Sequence, residues 1–348
     1  MILPPAVNRL LSIRPEAVSF DKLGFLSEAG VRAHLERVLA TFVEGYNLAL
    51  ELEDGEVLAA TLRSRFDDQH VGFAFEGAGM HLGLRDLLAP WRSSALRAFI
   101  EGPGREFDYI TAVGAGFALA RLPWGVRTWT SYARRLDPLV AWCLPDGLGF
   151  HDGIFHLRRW LDGRREPPAS LPPYARQLFD SGIGRSLWWS QGAAPRRIAA
   201  VIGRFAAARQ REMWCGIGVA AAYAGGVGDD ELLELGELAG RNRVDYLSGI
   251  PFATRMRQKG GNAWPGTDRA CRLLLDRTSD DASDWLMEIV DGVVDGDGSD
   301  RHSQDYQARL RDSYVLVRQR LVEELRHTAE GERQCRVPAH RSLTTASS

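Results

Sequence analysis

Lysine is scarce in this sequence: Lys22 and Lys259 are its two lysines, and arginine supplies the rest of the 43 basic residues. Acidic residues number 45, which leaves a formal net charge of −2 at pH 7. A chain without a cationic excess has no electrostatic basis for binding nucleic acid or an anionic membrane surface. We therefore predict neither of them as a partner.

Cysteine is also rare, and no two of the four cysteines have the spacing of a zinc site or a dithiol redox motif. This usage is typical of a reducing compartment, and prolines near the N-terminus interrupt any apolar signal helix. The longest apolar stretch, residues 213–227, is rich in glycine and alanine and too short to span a bilayer. We predict a cytoplasmic protein without a membrane span.

Sustained alternation of apolar and polar residues, the pattern of a half-buried strand, is missing from the chain. A short hairpin at residues 50–66 is the one alternative, since Asp54 and Gly55 there resemble a turn. Apolar residues at helical spacing recur instead, as in residues 28–51, where Leu35 and Phe42 share one face. The sequence predicts an all-α protein.

Similar segments recur at intervals of about 70 residues. One series is spaced by 71, 68 and 67 residues, on Gly45, Gly116, Gly184 and Pro251. A second series is spaced by 75 and 69 residues, on Gly72, Gly147 and Gly216. Glycine inside a helix costs about 1 kcal/mol relative to alanine and is tolerated where two helices approach closely.

These intervals predict helical hairpin repeats of about 70 residues, stacked as an α/α array or solenoid. An open array and a closed α/α ring both fit the pattern. We assign residues 1–290 to this helical-repeat domain and 291–328 to an acidic loop and a C-terminal helix packed on it. Residues 329–348 are polar and aperiodic, which predicts a disordered tail.

Ionisable residues on apolar helices are the candidate catalytic groups. In the alignment on Gly72, Glu76 and His151 hold equivalent positions, and so do His81 and His156. A buried carboxylate beside an imidazole can perform general acid–base catalysis, since burial moves both pKa values toward neutrality. We predict Glu76 as the acid or base, with His151, Asp152 and His156 tuning it; helix capping is the structural alternative.

Further candidates would bind a substrate or a metal. We predict that His81 and four residues of segment 182–192 contact the substrate: Arg185, Trp188, Trp189 and Gln191. Paired tryptophans either line an apolar cavity or fill the core. Asp67 and Asp68 are weak candidates for magnesium and diphosphate, although helix capping explains them as well. No cofactor is predicted outside that alternative.

Seven segments of the chain, taken together, resemble a known family. The segments are EGYNLAL (44–50), GFAFEGAGMHLGLRDLL (72–88), VGAGFALARLP (113–123), DGLGFHDGIFH (146–156), FDSGIGRSLWW (179–189), GIGVAAAYAGGV (216–227) and FATRMRQKGGN (252–262). In this order, over about residues 20–290, the chain resembles the domain-of-unknown-function 1702 family. That family recurs in bacterial gene clusters for enediyne polyketides. The resemblance implies natural-product biosynthesis and supplies no catalytic residues.

Three hypotheses for the function follow. In the first, the chain is an accessory biosynthetic enzyme that binds an apolar polyene-derived intermediate and promotes its cyclisation or rearrangement by acid–base catalysis. In the second, it is a noncanonical isoprenoid (terpene) cyclase with a magnesium–diphosphate site at Asp67 and Asp68. In the third, it is a non-catalytic helical scaffold or carrier for other biosynthetic proteins, since repeat arrays often bind partners on a concave face.

Overall fold

The computed structural model describes residues 11–294 and 304–335, and every regular element in these ranges is a helix. The predicted all-α class is thereby confirmed. The α-helices are α1 (Phe20–Leu23), α2 (Ala29–Glu51), α3 (Gly55–Arg65), α4 (Val71–Leu88), α5 (Ala95–Glu101), α6 (Asp108–Arg121), α7 (Gly125–Ala133), α8 (Pro138–Ala141), α9 (Cys143–Phe155), α10 (Pro173–Ser190), α11 (Pro195–Ile202), α12 (Ala207–Tyr223), α13 (Asp229–Ala239), α14 (Arg243–Gly260), α15 (Pro265–Leu275), α16 (Ser279–Val294) and α17 (Gln304–Cys335). Short 3-10 turns join some of them, at Pro15–Val18, Arg105–Phe107, Leu157–Arg159 and Gly240–Asn242.

The segment that allowed a hairpin is helical. Asp54 and Gly55 start α3 instead of forming a turn between strands, because the Asp54 carboxylate accepts hydrogen bonds from the backbone N–H groups of Glu56 and Val57 at 2.8 and 3.1 Å. This is the usual capping of a helix N-terminus by an aspartate. The hairpin alternative was wrong.

Seven long helices pack in series, each mainly on the next: α2, α4, α6, α9, α10, α12 and α14. Glycines let them touch backbone to backbone. Gly116 of α6 faces the carbonyl of Leu144 on α9, and Gly147 of α9 faces the carbonyl of Val113 on α6. A Cβ atom on either glycine would overlap with the opposing oxygen. Such close approach permits Cα–H···O=C contacts between helices.

The same reciprocal contact joins every neighbouring pair of the series. The participating glycines are Gly45, Gly77, Gly79, Gly114, Gly116, Gly147, Gly149, Gly182, Gly184, Gly216, Gly218 and Gly249. Gly72 is not among them, because it faces the side-chain hydroxyl of Tyr223. Gly77, Gly147 and Gly216 each face a carbonyl of the preceding helix in the series, so the alignment made on Gly72 matches residues that make different contacts.

Helix α14 contacts the turn before α4 and the start of α6. Arg257 of α14 is buried and donates to the carbonyls of Asp68 and Gln69, at 3.0 and 3.1 Å, just before α4. Two residues later, the Lys259 ammonium lies 2.6 Å from the carboxylate of Asp108, at the start of α6. These contacts close α6, α9, α10, α12 and α14 around a common interior.

The C-terminal part covers one end of this interior. Helix α17 packs on α14 and α16, and Arg318 pairs with the buried carboxylates of Glu212 and Asp245 at 2.7 and 3.0 Å. Helix α17 continues through residues 329–335, where the sequence predicted a disordered tail. Residues 336–348, and residues 295–303 of the predicted acidic loop, lie outside the described residues. In the part described, no helix is long and apolar enough to cross a membrane.

Candidate functional site

An apolar cavity, here called the central cavity, lies among α6, α9, α10, α12 and α14 and beneath α16 and α17. Its volume is about 130 Å³. Its walls are mostly aliphatic and aromatic, and include Val113, Val219, Phe252, Met287 and Val290. Its apolar lining with a few polar groups is typical of a small-molecule site, and its volume is below the roughly 300–1,000 Å³ of a pocket that encloses a drug-sized ligand.

Three polar side chains converge on the wall of the central cavity: Asp146, Ser181 and Arg185. The Arg185 guanidinium donates a short hydrogen bond to one oxygen of Asp146, and the Ser181 hydroxyl donates to the other at 3.0 Å. Arg185 also stacks over the ring of Phe150, at 4.5 Å from its centroid. The pairing fixes the Asp146 carboxylate at the edge of an apolar space.

Glu76 lies on the other side of Arg185. One oxygen of its carboxyl group is 3.7 Å from the Arg185 guanidinium, and neither oxygen makes a hydrogen bond. Burial raises the pKa of Glu76 to about 7, against the opposing effect of Arg185, and the nearby charge of Asp146 adds to the rise. Glu76 therefore exchanges its proton near neutral pH, as a general acid or base must.

Glu76 faces a second, smaller cavity, here called the aromatic cavity. It is lined by rings of α2, α4, α6, α9 and α10: Phe42, Phe73, Phe117, Phe150 and Trp189. Its volume is about 20 Å³, room for about one water molecule. A substrate of the predicted kind does not fit beside Glu76, whereas Asp146 faces the larger space.

His151 is buried and makes no hydrogen bond through either ring nitrogen. Its ring packs edge-on against Phe117, with centroids 5.4 Å apart, and lies 4.7 Å from Phe155. Burial lowers the pKa of His151 to about 3. His81 is similar: it packs against Tyr46, and burial lowers its pKa to about 4. Both imidazoles are thus neutral at physiological pH.

His151 should make the fold sensitive to acid. Because its pKa is about 3 in the folded chain and 6.5 when exposed, its contribution is present above pH 6.5 and is lost as the pH falls. We expect wild type to lose roughly 2 kcal/mol of unfolding free energy between pH 7 and 5 relative to His151→Phe. Urea unfolding of both proteins at each pH measures this, and the packing cost of the substitution cancels in the difference. Equal pH dependence would contradict it.

Asp152 and His156 bind to each other rather than to Glu76. The two oxygens of Asp152 are occupied by the His156 ring nitrogen Nδ1 at 2.8 Å and by the Trp160 indole N–H at 2.9 Å. These hydrogen bonds link the last turn of α9 to the residues that follow it. His156 reaches His151 only as a neighbouring ring, at 6.1 Å between centroids.

The four residues predicted to contact the substrate in segment 182–192 separate in the structure. Trp188 is buried, and its indole N–H donates to the carbonyl of Gly225 at 2.9 Å, so it joins α10 to the end of α12. Trp189 lines the aromatic cavity. Gln191 ends α10 and donates to Ser190 at 3.4 Å. Arg185 is held between the two carboxylates described above.

Asp67 and Asp68, the magnesium candidates, lie in the turn before α4. The Asp67 carboxylate accepts from the backbone N–H and the ring Nδ1 of His70, at 3.0 and 2.6 Å. Asp68 contributes its backbone carbonyl to Arg257. Within residues 11–294 and 304–335, no three His, Cys, Asp or Glu side chains form a group suited to a metal ion.

Asp146 was overlooked in the sequence. In the register set by Gly77, Gly147 and Gly216, Glu76 corresponds to Asp146 and to Cys215. Asp146 and Cys215 line the central cavity, and Glu76 and Asp146 flank Arg185. Counted from Gly77 and Gly147, His151 takes the position of His81 rather than that of Glu76.

A third cavity, of about 440 Å³, shares the lining residue Trp142 with the central one. Trp129 and Tyr174 form further aromatic walls, and Trp142 stacks on Tyr174 with centroids 5.9 Å apart. The indole N–H groups of Trp129 and Trp142 are buried without hydrogen-bond partners. We call this space the outer cavity.

Comparison with known proteins identifies one family. The sequence model of the family described as "Protein of unknown function (DUF1702)" matches residues 5–314. No curated protein and no solved structure matches the chain.

Proposed function

The chain belongs to the DUF1702 family, and we propose that it is a biosynthetic enzyme that cyclises or rearranges an apolar, polyene-derived intermediate in the central cavity. The observation that carries this proposal is the Asp146 carboxylate, fixed by Arg185 and Ser181 at the edge of an apolar cavity. The substrate class follows from the resemblance to one family, which recurs in bacterial gene clusters for enediyne polyketides.

In this proposal Asp146 is the catalytic base. It removes a proton from one carbon of the polyene, and the electron pair of that C–H bond shifts along the conjugated chain to form the new C–C single or double bond. The proton then returns to the carbon where the negative charge arrives, so that the reaction needs neither oxidant nor reductant. The apolar wall excludes water, which makes a fixed charge more effective than in solution. Glu76 does not touch the substrate and is a positioning residue: its charge state decides whether Arg185 is shared between two carboxylates or belongs to Asp146 alone.

We also infer that the fold repeats a helix pair about 70 residues long, curled so that its last copy meets the first. The reciprocal glycine contacts support this, since they recur at Gly77, Gly147 and Gly216, which are 70 and 69 residues apart. In such an array the residue at one position differs between copies, and here the three residues are Glu76, Asp146 and Cys215. A functional site can then form at that position while the rest of each copy keeps the same packing.

The carrier hypothesis remains the competing function, because the central and outer cavities would serve a transported intermediate equally well. The isoprenoid cyclase is less well supported. Asp67 and Asp68 line neither the central nor the aromatic cavity, and the Asp67 carboxylate is already bonded to His70.

Complementation in the native producer separates the two functions. A deletion strain receives wild type, Asp146→Asn, Glu76→Gln or the exposed control Glu237→Gln, and its metabolites are profiled. We expect Asp146→Asn to reduce product about 100-fold, the usual contribution of a general base, and to accumulate an intermediate. Glu237→Gln should restore the product fully.

The accumulated intermediate then serves as substrate for the purified protein. The rate for wild type should change with an apparent pKa near 7, and Glu76→Gln should remove this inflection while retaining part of the activity. Circular dichroism confirms that each variant is folded. If Asp146→Asn restores the product as well as wild type does, catalysis by Asp146 is wrong and the carrier function takes its place.

A further inference from the structure

The central cavity contains a second arginine, Arg255 of α14, whose environment differs from that of Arg185. Arg185 is held by two carboxylates, whereas no described carboxylate lies within ion-pair distance of Arg255. The Nε of Arg255 is buried and has no hydrogen-bond partner. The residue as a whole is half-buried, so its charge at this wall is satisfied by solvent or, when the cavity is occupied, by a polar group of the ligand.

The neighbouring cation is already neutralised. Lys259, one turn further along α14, pairs with Asp108 at 2.6 Å and lies 4.2 Å from the ring centroid of Tyr109. Tyr109 also lines the central cavity. Burial raises the pKa of Tyr109, and the nearby Arg255 guanidinium opposes that rise. The Tyr109 hydroxyl and the Arg255 guanidinium are therefore close enough to interact at this wall.

The rest of this wall is apolar. Phe252 and Met256, which flank Arg255 on α14, line the cavity with Leu139, Leu286 and Met287. A guanidinium beside such a surface matches a molecule with an apolar chain and one anionic end. Arginine favours carboxylates because its N–H groups can bind both oxygens at once.

We propose that Arg255 binds the terminal carboxylate of a ligand whose apolar chain runs from the central cavity into the outer cavity, so that the site takes an amphipathic, long-chain carboxylic acid rather than a neutral hydrocarbon. This inference rests on the proposed function only in using the same cavity; it does not require that a reaction occurs there. It assigns the polar end of the ligand to Arg255 rather than to Arg185, because Arg185 already pairs with Asp146 and lies 3.7 Å from Glu76.

The test compares an acid with its neutral ester. The probes are cis-parinaric acid, a conjugated tetraene with a terminal carboxylate, and its methyl ester; the fluorescence of both rises in apolar surroundings. Titration into wild type, Arg255→Met and Arg243→Met gives six dissociation constants. Arg243 is an exposed arginine of the same helix and serves as the matched control.

We expect wild type to bind the acid at least 10-fold more tightly than the ester, since a hydrogen bond to a charged group contributes about 1.5–3 kcal/mol. Arg255→Met should remove this preference by weakening the acid alone, and Arg243→Met should keep it. The substitution Val219→Trp, which fills the central cavity, should abolish binding of both probes.

Three results would overturn the inference. They are equal binding of acid and ester by wild type, unchanged preference in Arg255→Met, and no binding of either probe to folded wild type. If Arg255→Met does not fold, Arg255→Lys retains the charge without the paired N–H groups, and its preference should lie between wild type and none. Complementation by Asp146→Asn is independent of these measurements, so failure of the proposed reaction would leave the binding result intact.

Discussion

Replacing Gly182 with alanine is expected to lower the free energy of unfolding by about 3 kcal/mol. Gly182 of α10 faces the backbone carbonyl of Asp146 on α9, and a Cβ atom there would overlap with that oxygen and approach the Phe150 nitrogen to 2.6 Å. Neither atom can move without moving a helix, and overpacking of a rigid interior commonly costs 1–3 kcal/mol or more. Denaturation by urea, followed by circular dichroism, measures the loss.

Gly236→Ala is the matched control. Gly236 is also buried and lies inside a helix, α13, but the nearest atom to an added Cβ is a ring carbon of Tyr246 at 3.8 Å, an ordinary contact. Alanine should therefore stabilise this site by about 0.5–1 kcal/mol, through its better helix propensity. If both variants change stability by the same amount, close backbone contact is not what selects glycine at Gly182.

The glycine contacts also explain what the sequence could predict. Helical spacing of apolar residues was sufficient for the all-α class, and the first series, Gly45, Gly116 and Gly184, is made of glycines that do face neighbouring carbonyls. Those glycines are visible in the sequence because a mid-helix glycine is costly and needs a reason. The partner across each contact is not visible, since it depends on how the helices are packed.

The second series failed for that reason. Residues 72–79 contain three glycines, and only packing shows that Gly77 and Gly79 meet neighbouring helices while Gly72 meets Tyr223. An error of five residues rotates a helix position by about 140°, because each residue turns the helix by about 100°. The alignment on Gly72 therefore compares Glu76 with His151, whereas the residue that directly precedes Gly147, as Glu76 precedes Gly77, is Asp146.

The sequence also could not predict contacts between side chains that lie far apart along the chain. Glu76, Asp146 and Arg185 belong to three helices, and 109 residues separate the first from the last. The sequence identified Glu76 and Arg185 as polar residues on apolar helices, without indicating that they meet. Arg255 lies near the C-terminal end of α14, where a cation suits the helix dipole, so the sequence alone gives no reason to place it at a cavity. Its position at the cavity depends on α16 and α17, which cover that side.

The stability of the protein should fall as the pH rises through the titration of Glu76. The pKa of Glu76 is about 7 in the fold and 4.5 when exposed, so between these values the folded chain keeps a proton that the unfolded chain releases. Stability is therefore highest below pH 4.5 as far as this group is concerned, and the loss is complete above pH 7. Glu76→Gln stays neutral and lacks this dependence.

We expect the unfolding free energy of Glu76→Gln minus that of wild type to increase by roughly 3 kcal/mol between pH 4.5 and 8, at about 1.4 kcal/mol for each unit of pKa. Urea unfolding across this range measures the difference, in which other titrating groups such as Asp180 and His151 cancel. The exposed control Glu237→Gln should give a difference that does not vary with pH.

The outcome decides which of two opposing effects dominates at Arg185. Burial of an ion pair costs more than its attraction returns unless hydrogen bonds complete it, and Glu76 has none. A rising difference means that burial dominates, so that below pH 7 Glu76 is neutral and Arg185 serves Asp146 alone. A flat difference means that Arg185 keeps Glu76 ionised throughout, and Glu76 then cannot control the catalytic carboxylate by exchanging a proton.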